Sequence, residues 1–100
     1  MTEKIKLSGE IEKTATWIWL ENGQLKAEFY DFSELAQRMF GNDIAYTLTV
    51  NEMPKLFWLT KHDEASLIKW IEANFKSYFG IKKWLEENNV GFSVEIESWA

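Results

Sequence analysis

Hydrophobic and polar residues alternate in the first part of the chain and later shift to a helical period. In residues 4–12, Ile5, Leu7 and Ile11 share one parity, while Lys4, Lys6, Glu10 and Glu12 share the other. A period of two is that of a half-buried strand. A two-residue turn at Ser8-Gly9 would set Leu7 opposite Glu10 and Ile5 opposite Glu12, mixing apolar and acidic side chains on one surface. A single strand bent or bulged at Gly9 avoids that mixture.

Two apolar runs then flank Asn22-Gly23. Asn and Gly tolerate the positive φ of a type I′ turn, so this dipeptide predicts a hairpin. The turn sets Leu20 opposite Leu25, Ile18 opposite Ala27 and Thr16 opposite Phe29, which makes a core face. On the other, more polar face, Trp19 lies opposite Lys26 and Trp17 opposite Glu28, with Tyr30 alongside.

Asp31-Phe32-Ser33-Glu34 reads as a capping box, followed by a short helix with Leu35, Ala36, Met39 and Phe40 as its stripe and Gly41 as its stop. Ile44, Tyr46, Leu48 and Val50 alternate with Ala45, Thr47 and Thr49 as another strand. Residues 51–54 read as a turn and Lys55 to Thr60 as the returning strand, with the face of Trp58 depending on the loop length. Asp63 caps a longer helix carrying Leu67, Ile68, Ile71, Phe75, Tyr78 and Phe79 at a 3.6 period. Gly80 interrupts that stripe, and Ile81, Trp84 and Leu85 continue out of phase, as expected of a kink or a second helix. The last strand points Phe92, Val94 and Ile96 inward and Ser93, Glu95 and Glu97 outward, with Trp99 on the outward parity. The order is β-β-β-α-β-β-α-α-β. It predicts an α+β fold in one domain spanning 1–100, a mainly antiparallel sheet with helices packed on one face.

Composition narrows the function classes. The chain has 100 residues, a formal net charge of −5, and six Trp, seven Phe and three Tyr. Only Arg38 among its eleven basic residues is an arginine, a poor endowment for phosphate recognition, so nucleic acid and anionic membranes are disfavoured partners. The chain has no Cys, which excludes disulfides and thiolate chemistry. No apolar run follows the first charges and none approaches a membrane span, so a cytoplasmic location is expected.

No catalytic constellation stands out, and no cofactor or metal is expected. His62 is the only histidine and precedes the helix-capping Asp63, a position better explained by capping than by general-base chemistry. The expected function is therefore a non-enzymatic protein-interaction or regulatory module. Its contact surface is the aromatic sheet face of Trp17, Trp19, Lys26, Tyr30 and Trp58, engaging another protein or a second copy as a homodimer. The competing reading folds those rings into the core of the same chain. An alternative function is an acidic inhibitor or decoy of a basic, nucleic-acid-binding partner, using Glu10, Glu12, Glu95 and Glu97. A third is a domain that holds a small apolar ligand between sheet and helices.

Overall fold

The structure, a computed structural model, describes residues 4–7, 14–31 and 43–99. Its strands are β1 (Ile5–Lys6), β2 (Thr14–Glu21), β3 (Gln24–Asp31), β4 (Asp43–Val50) and β5 (Phe92–Trp99). Between β4 and β5 run three helices: α1 (Met53–Thr60), α2 (Glu64–Asn74) and α3 (Tyr78–Glu87). The strands form one antiparallel sheet in the order β1-β2-β3-β4-β5. This is the α+β architecture expected from the pattern. The bend at Gly9 and the capping box and helix of residues 31–40 lie largely outside the described residues.

The central hairpin follows its sequence signal. Asn22 (φ 53°) and Gly23 (φ 76°) both take positive φ, as a type I′ turn demands. The register it sets is the expected one: Leu20 opposite Leu25, Ile18 opposite Ala27, Thr16 opposite Phe29, Trp19 opposite Lys26 and Trp17 opposite Glu28. In β1, Ile5 faces Ile18, and the Leu7 amide donates to the Thr16 carbonyl at 2.9 Å. Leu7 is thereby buried on the helix side of the sheet.

The core lies between that side and the helices. Ile18, Leu25, Ala27, Phe29, Leu48 and Val50 from the sheet meet Leu56, Leu67, Ile71, Tyr78, Ile81 and Leu85 from the helices. Thr16 is also fully buried there, and its Oγ1 accepts a hydrogen bond from the Tyr78 amide at 3.0 Å. The first turn of α3 is thus tied to β2, which satisfies one of the helix's free N–H groups.

Residues 55–60 are a correction. They form α1 rather than a returning strand, and Pro54 falls in its first turn. A short apolar run fits a buried helix as well as a strand, and Pro at the start of a helix costs nothing because that N–H has no helical partner. The buried positions Met53, Leu56 and Thr60 follow helical spacing, and Lys61 closes the helix in the left-handed region at φ 62°. Trp58 therefore belongs to a helix and has no place on the sheet face.

The break between the last two helices is also displaced. Gly80 lies inside α3, and the chain leaves helical geometry at residues 75–77 instead. Ser77 caps α3 by accepting from the Gly80 amide at 3.1 Å, so the signal for the new helix is a serine three residues before the glycine. At this junction Trp70, Phe75 and Trp84 pack edge to face, with Trp70 and Trp84 centroids 5.7 Å apart. Both tryptophans fill the seam between the helices.

Candidate functional site

The sheet face opposite the helices carries Trp17, Trp19, Lys26 and Tyr30, as the hairpin register required. They are not equally accessible. Trp19 is only 5% exposed, whereas Trp17, Lys26 and Tyr30 are half-buried. Lys4, next to Ile5 in the edge strand, holds its Nζ 4.3 Å from the centroid of the Trp19 ring, a cation–π cover. Among the described residues, the Trp19 Nε1 is buried with no hydrogen-bond partner. A ring in this position contributes to stability and offers little surface to a partner. Trp58, on α1, is 69% exposed and has Lys61 Nζ 5.2 Å from its ring centroid.

Of the acidic candidates, two fall on described strands. Glu95 is exposed on β5, and Glu97 occupies the outer-face register position opposite Ala45. Glu10 and Glu12 lie outside the described residues. The strand they were expected to share with Ile5, β1, is at the opposite edge of the sheet from β5. Among the described residues, no group of three or more His, Asp or Glu side chains could hold a metal ion.

His62, Asp63 and Ser66 do converge, but as a helix start. The Asp63 carboxylate accepts from the Ser66 amide and hydroxyl, each at 3.1 Å, and the Asp63 amide donates to Ser66 Oγ at 3.3 Å. These bonds to the charged form hold the Asp63 carboxyl below its ordinary pKa. His62 Nδ1 lies 3.0 Å from the same Oγ. In a Ser-His-Asp triad the carboxylate orients the histidine, and the hydroxyl is free to attack. Here the carboxylate holds the hydroxyl itself, which is engaged in a capping box.

Among the described residues, an open apolar surface also lies where α3 meets the β4–β5 end of the sheet. Tyr46, Tyr78, Phe79, Lys82, Val94 and Ile96 line a trough of about 320 Å³. Its floor is an aromatic cluster built around Phe29, whose ring centroid is 6.0 Å from Tyr46, 5.9 Å from Tyr78 and 4.9 Å from Phe79. Burial, with Tyr46 close by, raises the Tyr78 phenol above its ordinary pKa. The trough's placement follows from the Ser77 cap and the Thr16–Tyr78 bond, which fix where α3 begins. Adjacent residues on a helix point about 100° apart, so with Tyr78 turned into the core, Phe79 faces outward. Phe79 is 53% exposed and Ile96 65%, large values for apolar side chains that share one surface.

Val94 and Ile96 have the helix-side parity expected of them, but the expected burial fails. The helices cover β2, β3 and Leu48 and Val50 of β4, but leave Val94 and Ile96 of the outer strand exposed, so parity alone does not bury them. The sequence carried no distinct signal for the trough, because Tyr78 and Phe79 both fit the helical stripe.

The trough runs beside an open strand edge. The Asn51 amide donates to the Gly91 carbonyl at 2.8 Å, which fixes the alternation of the β4–β5 ladder. Counting from it, Ser93, Glu95 and Glu97 direct their backbone groups to β4, while Phe92, Val94 and Ile96 direct theirs away from the sheet. Among the described residues, β5 has no neighbour on that side. No helix of the described residues is long and apolar enough to cross a membrane. Comparison with protein-family models, curated proteins and solved structures returned no match.

Proposed function

We propose that the protein is a non-enzymatic binding module that engages another polypeptide through the aromatic trough and the adjoining edge of β5. The observation that carries this reading is the joint exposure of Phe79 and Ile96 above an aromatic floor, next to a row of outward-directed backbone groups. An extended segment added to a sheet edge gains main-chain hydrogen bonds, while side-chain pockets beside the edge supply selectivity. The trough provides such a pocket, and Lys82 on its wall favours a segment with a carboxylate near its apolar residue. The contact surface thereby moves from the Trp17/Trp19 face to the far end of the sheet. A cysteine-free chain fits a reducing, cytoplasmic setting.

A small apolar acid as the ligand is the second reading. It is favoured by a volume at the lower end of the range of small-molecule sites, about 300–1,000 Å³, and by the single cation at the wall. The test common to both uses the fluorescent apolar anion anilinonaphthalene sulfonate as the probe. The native protein should bind it saturably, and Phe79→Ser and Ile96→Ser should each reduce binding at least severalfold without loss of secondary structure. Trp17→Ser should leave it unchanged. If the dye ignores the Phe79 and Ile96 substitutions, the trough is not the binding surface.

A further inference from the structure

We infer that the polypeptide added at the β5 edge is a second copy of this chain, paired antiparallel about a two-fold axis at Val94 to form a continuous ten-stranded sheet. The inference rests on the binding-module reading and specifies its occupant. Three features of the edges and the charge pattern support it.

The two edges of the sheet differ. β1 spans two residues, Ile5 and the exposed Lys6, and follows the exposed Lys4, the kind of short, charged edge that resists pairing. β5 spans eight residues. A head-to-tail pairing of β5 with a partner's β1 has too little strand to hold. A β5-to-β5 contact closes on itself as a two-fold dimer, whereas a head-to-tail contact would propagate.

The acidic residues then exclude the registers centred beyond Val94, while an axis on Ser93 pairs Val94 with Phe92 alone and leaves Ile96 uncovered. Phe92, Val94, Ile96 and Ser98 point backbone donors and acceptors outward, so an antiparallel copy must pair outward residues with one another. Centring the axis on Ile96 sets Glu95 opposite the partner's Glu97, and centring it on Glu95 sets that residue opposite the partner's Glu95. Like charges directly opposite one another oppose pairing. Centring it on Val94 sets Glu95 opposite the partner's Ser93, which removes the direct clash and leaves the hydroxyl and carboxylate in register to hydrogen-bond.

The same register places the exposed apolar residues together. Val94 faces the partner's Val94, and Ile96 faces the partner's Phe92, all on the helix side of the joined sheet. Ile96 is the most exposed residue of the trough, and the dimer covers it, so the dye competes with the second copy and its binding is read on dilute, monomeric protein. The exposed Glu95 side chains keep to the opposite face, so the apolar stripe and the acids never share a surface.

The absence of cysteine makes a register scan direct. A hydrogen-bonded antiparallel pair has Cα atoms about 5.5 Å apart, within the reach of a disulfide. Under mild oxidation Val94→Cys should yield covalent dimer well ahead of Glu95→Cys and Ile96→Cys. Light scattering after size-exclusion chromatography should give wild-type protein a mass of twice 11.8 kDa at the upper end of a hundredfold concentration range. Each copy carries a net charge of −5, so added salt should strengthen the dimer. Val94→Pro removes an N–H that β4 does not use, and Ile96→Lys alters a side chain already 65% exposed. Both variants should be monomeric with unchanged circular dichroism, and should Val94→Pro prove misfolded, Ile96→Lys decides. A wild type that stays monomeric over the whole range, a dimer that survives Ile96→Lys, or faster cross-linking at position 95 or 96 overturns the proposal. A monomer that still binds the dye loses self-pairing but keeps the binding module, whereas a dye insensitive to Phe79→Ser removes the module.

Discussion

Replacing Trp19 by alanine separates the two roles an aromatic side chain on the outer sheet face can have. A Trp side chain buries roughly 200 Å². At about 25 cal/mol per Å² that is worth about 5 kcal/mol, an upper figure because the unfolded chain already hides part of this area. The cation–π contact from Lys4, at 4.3 Å, adds about 0.5–1 kcal/mol. Against these stands the unpartnered Nε1, whose removal returns about 1–2 kcal/mol. The balance for Trp19→Ala is a loss of about 3 kcal/mol, in line with the roughly 3–5 kcal/mol typical of such truncations. Trp19→Phe keeps most of the buried area and discards the unpaired donor, so it should change stability by less than about 1 kcal/mol.

Urea denaturation followed by far-ultraviolet circular dichroism reads both variants without depending on tryptophan emission. The midpoint should shift while the slope stays constant, since the surface exposed on unfolding barely changes. A Trp19→Ala loss below about 1 kcal/mol would mean that the ring is not a buried stabilising contact, because surface substitutions fall near that limit. The ring would then be accessible, and the Trp17/Trp19 face would regain its claim as the contact surface.

Other expectations follow from single contacts. Thr16→Val keeps the volume but leaves the buried Tyr78 amide without its acceptor, and chemical denaturation should show a loss of about 1–3 kcal/mol. The folded-state pKa of Tyr78 lies above its ordinary value of 10.0, so its contribution is full below that pH and is lost as pH rises through the folded value; Tyr78→Phe should flatten this alkaline fall in stability. The Asp63 pKa is depressed instead, so its contribution is present above the ordinary 3.8 and is lost as pH falls through the folded value; Asp63→Asn should flatten the acid limb of a melting-temperature profile.

Local chemistry alone determined much of this protein. The Asn22-Gly23 turn requires positive φ at two successive residues, and that requirement set the register of the whole hairpin, from Leu20 opposite Leu25 to Thr16 opposite Phe29. Asp63 announced a helix start, and the alternation in β4 and β5 gave each residue its face of the sheet. These features were legible because each depends on a few neighbouring residues and on fixed backbone geometry.

Tertiary structure decided the rest. Residues 55–60 are a short apolar run that both periods fit, and only packing of Met53, Leu56 and Thr60 selected the helix. Parity placed Trp19 on the outer face and Ile96 on the inner one, yet Trp19 is buried and Ile96 is exposed. Which face a side chain takes is a property of the strand. How much of that face is covered depends on where the helices end and which strand lies at the edge, and these are set by contacts between residues far apart in the chain. The candidate site arises from that mismatch: the helices cover the inner face from β2 to Leu48 and Val50 of β4 but leave Val94 and Ile96 of β5 exposed.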